Sequence, residues 1–228
     1  MKKQYLIILL IILLITTGTI VAFILDTNDK SDELIIGDVN VDLEAYFEKY
    51  NDQNELIKYT ENLDYVANVV NEGSFTKQGV IKINISNRDD IQFIENFRVN
   101  IKIYSNVDTY FRIAPYEQLT LTYEVGGKTR EVATTQKNYI GFNYDPNGKF
   151  FDNRIYDGFF YCKEKVKKNN DDTPLILSFI GNYFEDKSFG VYEDRYSLQI
   201  GFIIEAVQAL DGPQNNWGLS NTPWNTDW

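Results

Sequence analysis

Polar and apolar residues alternate with a period of two through much of the chain, which is the pattern of strands with one wet face. Val39, Val41 and Leu43 alternate with Asp38, Asn40 and Asp42. In "GVIKINISN", Ile81, Ile83 and Ile85 face one way and Lys82, Asn84 and Ser86 the other. In "NFRVNIKIYS", Phe97, Val99, Ile101 and Ile103 alternate with Arg98, Asn100, Lys102 and Tyr104. "QLTLTYEV" puts Leu119, Leu121, Tyr123 and Val125 on one face. Gly126-Gly127 then supplies the positive φ values of a tight turn, so "KTREVATT" is predicted to return as the partner strand. "YIGFNY" stops at Asp145-Pro146-Asn147-Gly148, where proline presets φ and Asn-Gly accepts left-handed geometry. "RIYDGFFYCKEKV" predicts a strand pair around Asp157-Gly158, and "LILSFIGNYF" resumes the sheet after the polar loop "KKNNDDTP". Last, Tyr196, Leu198, Ile200, Phe202, Ile204 and Ala206 share one face of "YSLQIGFIIEAVQA". Between residues 44 and 79 the pattern is weak. It predicts a continuation of the first strand and a short helix near Asn54 to Glu61, with the rest irregular.

Many short strands, turns between them and no amphipathic helix of ordinary length predict an all-β fold: an antiparallel β-sandwich of jelly-roll type. Hairpin connections need no helical crossovers.

The N-terminus follows another pattern. Two lysines precede an almost unbroken apolar run from Tyr5 to Leu25, long enough to cross a bilayer. The basic start holds the N-terminus inside the cell and everything after Asp26 outside. A signal peptide cleaved after Ala22, leaving Phe23 first, reads from the same residues. Either way the chain is exported. The expected organisation is a signal or anchor helix at 1–25, a polar spacer at 26–33, a β-sandwich at 34–212 and a Trp/Asn-rich tail at 213–228. The three tryptophans of that tail either cover an apolar surface of the domain or bind a neighbour.

Composition narrows the chemistry. A net charge of −11 argues against nucleic acid as a partner, because phosphate binding needs clustered Lys and Arg. Cys162 is the only cysteine, so no disulfide closes within the chain. It is read as a packed small residue. The chain has no histidine, which removes Ser-His-Asp, Cys-His and HExxH arrangements together. Neither a phosphate-binding GxxxxGK[ST] loop nor a GxGxxG turn is present. Acids such as Asp157, Glu185, Asp186 and Glu193 leave a carboxylate pair formally open, but among 33 acidic residues close pairs are expected by chance. The expectation is a protein that is not an enzyme and takes no cofactor or metal. The Asn84-Ile-Ser sequon carries little weight alone.

Gly18, Thr19, Ala22, Phe23 and Asp26 near one end, "YDGFFYCKEKV" and "TPLILSFI" further on, and Glu205, Ala206, Val207, Gln208, Ala209 and Trp217 near the other end together resemble the TasA/camelysin family of exported proteins with SipW-dependent signal peptides. At the N-terminal end Gly18, Thr19, Ala22, Phe23 and Asp26 match the family's pattern, whereas Ile20, Val21, Ile24 and Leu25 depart from it. "YDGFFYCKEKV", with Gly158, looks like a family strand, and "TPLILSFI" follows in the family's order. Glu205, Ala206, Val207, Gln208, Ala209 and then Trp217 carry the closing motif. The resemblance implies a jelly-roll-like sandwich, secreted or displayed, in a family containing biofilm-matrix fibre subunits. In those, an N-terminal segment of one subunit completes the sheet of the next, a form of β-augmentation. The donor residues would be Phe23, Leu34, Ile36, Val39, Val41 and Leu43. Partners would be copies of the chain or a related exported subunit, and the cell membrane if the helix is uncleaved. A tethered surface module that binds a glycan or protein without polymerising, through aromatics such as Tyr104, Tyr110, Phe111 and Trp217, is the other reading. The metallopeptidase label once attached to camelysin finds no support in a histidine-free chain.

Overall fold

Alternation along "FRVNIKIYS" produces a strand in which every second residue is buried: Phe97, Val99, Ile101 and Ile103 turn inward and the polar residues between them stay half-exposed. A computed structural model describes residues 39–61, 63–67, 70–72, 75–134, 142–169, 173–183 and 192–228. The chain divides into two units, Met1–Ile36 and Gly37–Trp228. The first unit lies outside the described residues, and with it the predicted membrane or signal helix.

The described strands are β1 (Val39–Tyr50), β2 (Leu56–Tyr59), β3 (Asp64–Ala67), β4 (Val70–Glu72), β5 (Phe75–Asn84), β6 (Phe97–Ser105) and β7 (Thr109–Val125). They continue as β8 (Lys128–Ala133), β9 (Phe142–Tyr144), β10 (Phe150–Asp152), β11 (Phe160–Cys162), β12 (Leu175–Tyr183) and β13 (Tyr196–Gln208). One short helix, α1 (Gly212–Trp217), follows. The strands form two antiparallel sheets packed together. The smaller has the order β2-β1-β6-β12-β9; the larger runs β10-β11-β7-β13-β5-β3, with β4 on β5 and β8 on β7. All-β sandwich architecture is thus present as the period of two predicts.

Several turns form as their residues require. Gly126 and Gly127 adopt φ of 58° and 71° between β7 and β8, and Asp145 and Gly148 adopt 57° and 66° between β9 and β10. Asp145 also accepts hydrogen bonds from the Lys149 and Phe150 backbone amides, which fixes the crossing from the smaller sheet to the larger. The Asn84 side chain is committed inside its own loop, accepting from the Ser86 and Asn87 amides and donating to Asp90. Two regions differ from expectation. The helix predicted near Asn54 to Glu61 is instead a tight turn, with Asn54 at φ 61°, followed by β2 paired to the end of β1. Strand β7 is also longer than "QLTLTYEV", starting at Thr109.

Aromatic rings fill the space between the sheets. Phe179, fully buried at the centre, has ring contacts at 5.2–5.3 Å with Tyr144, Phe150 and Phe160, and with Phe202 at 6.3 Å. Phe97 bridges Phe47 and Phe142 at 5.5 Å each. Tilted and edge-on pairs of this kind add to the stabilisation from area burial alone.

Along the larger sheet β13 pairs over its full length with β7 on one side and with β5 on the other. Gly201 sits mid-strand because the Tyr116 ring crosses over it from β7: a Cβ there would stand 2.1 Å from the ring. Gly201→Ala is therefore expected to destabilise the fold by about 1–3 kcal/mol, as overpacking does. In a Tyr116→Ala background the same change becomes nearly neutral or stabilising. Denaturant unfolding of the four proteins in this cycle checks the coupling; additive effects would remove the steric reading.

Candidate interaction surfaces

Residues singled out from sequence lie in different places. Val39, Val41 and Leu43 belong to β1 and pair with Ser105, Ile103 and Ile101 of β6 in the same chain. Gly158, at φ 87°, closes the turn between β10 and β11. Glu205, Ala206, Val207 and Gln208 end β13, Ala209 donates its amide to the Asp108 carbonyl at 2.7 Å, and Trp217 ends α1. Ala22, Phe23, Leu34 and Ile36 lie outside the described residues.

The closing motif is brought together with residues the sequence did not mark. On the outer face of the larger sheet, the Arg112 guanidinium on β7 donates to Glu205 on β13 at 2.7 and 2.6 Å. It also donates to the Tyr161 hydroxyl on β11 at 2.8 Å, which in turn donates to Asp157 at 2.6 Å. Phe159 lies 4.0 Å and Trp217 4.9 Å from the guanidinium, so the cation is stacked between two rings. Burial, reinforced by the bond to Asp157 and opposed by Arg112, pushes the Tyr161 hydroxyl up to about 12. The hydroxyl stays protonated and acts as a fixed bridge.

The C-terminal tail lies over this cluster. Asp211 at φ 56° turns the chain, and Gly212 approaches Val207 so closely that a Cβ would meet it at 2.9 Å. Pro213 occupies the first turn of α1, and Gly218 at φ 69° ends it, the placement each residue favours. Trp217 then packs edge-on against Tyr161 at 5.8 Å and Trp228 against Tyr110 at 4.9 Å. Trp224 meets Phe151 at 5.6 Å. All three tryptophans thus cover the sheet. Tyr110 and Phe111, proposed from sequence as exposed platform aromatics, are buried.

Cys162 is buried too. Burial pushes its thiol up to about 11, so it packs as a small apolar residue. Asp157 accepts from the Tyr161 hydroxyl and Glu193 pairs with Arg195 at 2.8 Å; Glu185 and Asp186 lie outside the described residues. Among the described residues no group of three metal-binding side chains converges, and no helix is long and apolar enough to cross a membrane.

The smaller sheet has a different surface. β1 pairs with β6 from Val39 to Phe47, but β2 covers its other side only from Phe47 to Tyr50. β12 pairs with β6 from Leu175, while β9 joins its other side only from Ile180. Among the described residues, both flanks are therefore half-open at the same end, the end where β1 begins. A third exposed feature is the turn between β10 and β11, where Ile155 and Tyr156 are 94% and 86% exposed on a loop held by bonds to the Asn153 and Arg154 carbonyls.

Comparison with family models, curated proteins and solved structures finds no match to this chain.

Two predictions follow from these contacts. Arg112→Ala is expected to destabilise the domain by about 3 kcal/mol, because Glu205 is left unpaired under the tail. It should also shift tryptophan emission to the red, since every tryptophan sits on that tail; an unchanged midpoint and spectrum would refute the clamp. On the smaller sheet, burial alone would raise Glu44, but its bonds to Lys58, Lys102 and Asn100 outweigh it and hold the carboxyl at about 2 against an ordinary 4.5. A depressed carboxyl stabilises the fold above pH 4.5, and that contribution is lost as pH falls towards 2. Unfolding curves of Glu44→Gln should be flatter than those of the parent chain across that window.

Proposed function

We propose that this chain is an exported, non-catalytic structural subunit, a jelly-roll-like β-sandwich that assembles with copies of itself or a related exported subunit at the cell surface or in the extracellular matrix. The observation that carries the reading is the pair of half-open flanks on the smaller sheet. Unpaired strand edges template the addition of another strand, and soluble proteins ordinarily cover or charge them. The order of motifs shared with the TasA/camelysin family supports the same reading, as does the apolar segment at residues 5–25, either cleaved near Ala22 or retained as an anchor.

Because Val39, Val41 and Leu43 already pair with β6, the donated part of the chain is best sought before Val39, among residues 23–38. The exposed Ile155 and Tyr156 favour a second reading, a tethered module that docks a partner through this turn and does not polymerise.

Electron microscopy and sedimentation of the chain from Phe23 to Trp228 separate the two. Filaments are expected, and deletion of Phe23 to Leu34 should abolish them while leaving strand content and cooperative unfolding intact. A protein that stays monomeric at high concentration with its strands formed would sink the assembly reading.

A further inference from the structure

The tryptophan tail covers the larger sheet with one side and keeps a second surface in water. Trp217, Trp224 and Trp228 are each half-buried, and Trp228 links the other two at 5.9 and 6.1 Å, so the three indoles form one continuous aromatic patch. Hydrogen bonds within the tail hold the patch in place. Thr222 is buried, and its hydroxyl donates to the Thr226 carbonyl and accepts from the Thr226 amide, both at 2.9 Å. Asn225 adopts φ 62° inside that turn, and the Trp228 indole N–H donates to the Leu219 carbonyl at 3.0 Å. The indole N–H groups of Trp217 and Trp224 meet no acceptor among the described residues. Four exposed side-chain amides of the same segment, on Gln214, Asn215, Asn221 and Asn225, are likewise unengaged there.

The composition of the segment narrows what fits. From Pro213 to Trp228 it holds five side-chain amides, three hydroxyls and three indoles, with Asp227 its one acid, Leu219 its one branched aliphatic residue and no Lys or Arg. A bilayer surface is met by Trp together with Lys or Arg, and a protein partner by an apolar core. An anionic polymer would find only Arg112, which is committed to Glu205 beneath Trp217. Amides both donate and accept, which matches ligand hydroxyls, and the negative face of an indole attracts the weakly positive C–H face of a sugar ring. We propose that Trp217, Trp224 and Trp228 form a binding platform for a neutral polysaccharide of β-linked pyranose units, whose equatorial substituents leave the ring faces flat for stacking. The neighbouring amides hold its hydroxyls. Because the turn is closed by its own bonds, little ordering is needed on binding. The proposal takes the chain to be exported and holds whether or not copies assemble.

Every tryptophan of the chain lies in this segment, so intrinsic fluorescence reports on the platform alone. Titration of the full-length chain with chitohexaose, cellohexaose and laminarihexaose should give a saturable change in emission with at least one of them. Trp224→Leu keeps an apolar cover over Phe151 but removes the flat ring, and should weaken that binding about tenfold or more, whereas Trp224→Tyr should restore most of it. Asn215→Ala with Asn221→Ala, both on the surface, should weaken binding about threefold or more with the unfolding midpoint unchanged. Tyr104→Ala, on the smaller sheet, should leave the affinity as it is. No saturable change with any of the three sugars would overturn the platform, as would equal losses in the Leu and Tyr variants or full affinity in the double Asn variant. Binding abolished by Tyr104→Ala would move the site to the smaller sheet and overturn it too. Filaments are scored separately by microscopy, so the assembly reading stands or falls on its own result.

Discussion

β13 must lie between two strands made much earlier in the chain, and most of the larger sheet depends on that fit. Its residues pair with β7 from Leu121 to Thr109 and with β5 from Asn84 to Phe75, so both sides of its backbone are satisfied inside the sheet. Its two faces then set two layers at once. Ile200, Phe202 and Ile204 enter the core, while Gly201, Glu205 and Val207 receive Tyr116, Arg112 and Gly212 on the outside. A slip of one residue would exchange these faces and bury a carboxylate in the aromatic core, which makes the register strongly specified. Because these pairings are distant in sequence, the sheet cannot close until the last quarter of the chain is available, and folding is expected to be slow for its size.

Where one face meets the core and the other meets water, the strand was readable from sequence: β6, the start of β1 and the inner face of β13 show a plain alternation. Legibility fails where that condition fails. The first half of β7 has Tyr110 and Arg112 on its outer face beneath the tail, so inward and outward residues are both sheltered and no alternation survives; Pro115 adds a false stop. β2 is four residues long and takes its conformation from pairing with β1, which local propensity cannot report. The Arg112 cluster was invisible for another reason. Its partners stand 93 and 49 residues away in sequence, and only the sheet order unites them. The tail did carry a readable signal, a Gly-Pro start and a Gly stop six residues apart, and that spacing marks α1.

The tail also explains why the closing motif combines an acid with small residues. Glu205 is needed opposite Arg112, Ala206 packs against the core, and beyond Val207 the chain must turn closely enough for Gly212 to touch it. A strand ending in large branched residues would hold α1 away from the sheet and leave Tyr161 and the guanidinium in water. The motif is thus a device for covering the sheet's outer face.

On that smaller sheet the two half-open flanks are unequal in a way that bears on assembly. Along the open half of β1, Asp42 is exposed and Glu44 is tied to Lys58 and Lys102, so the edge carries charged side chains of the type that deter chance pairing. β8, at a flank of the larger sheet, carries Lys128, Arg130 and Glu131 in the same manner. The open half of β12 reads Leu-Ile-Leu-Ser-Phe with no charge, and Leu175 and Ile176 are exposed there. Only Pro174, immediately before the strand, limits it. The open half of β12 is thus left apolar where β1 and β8 are charged, and by that contrast it is the less protected edge of the three.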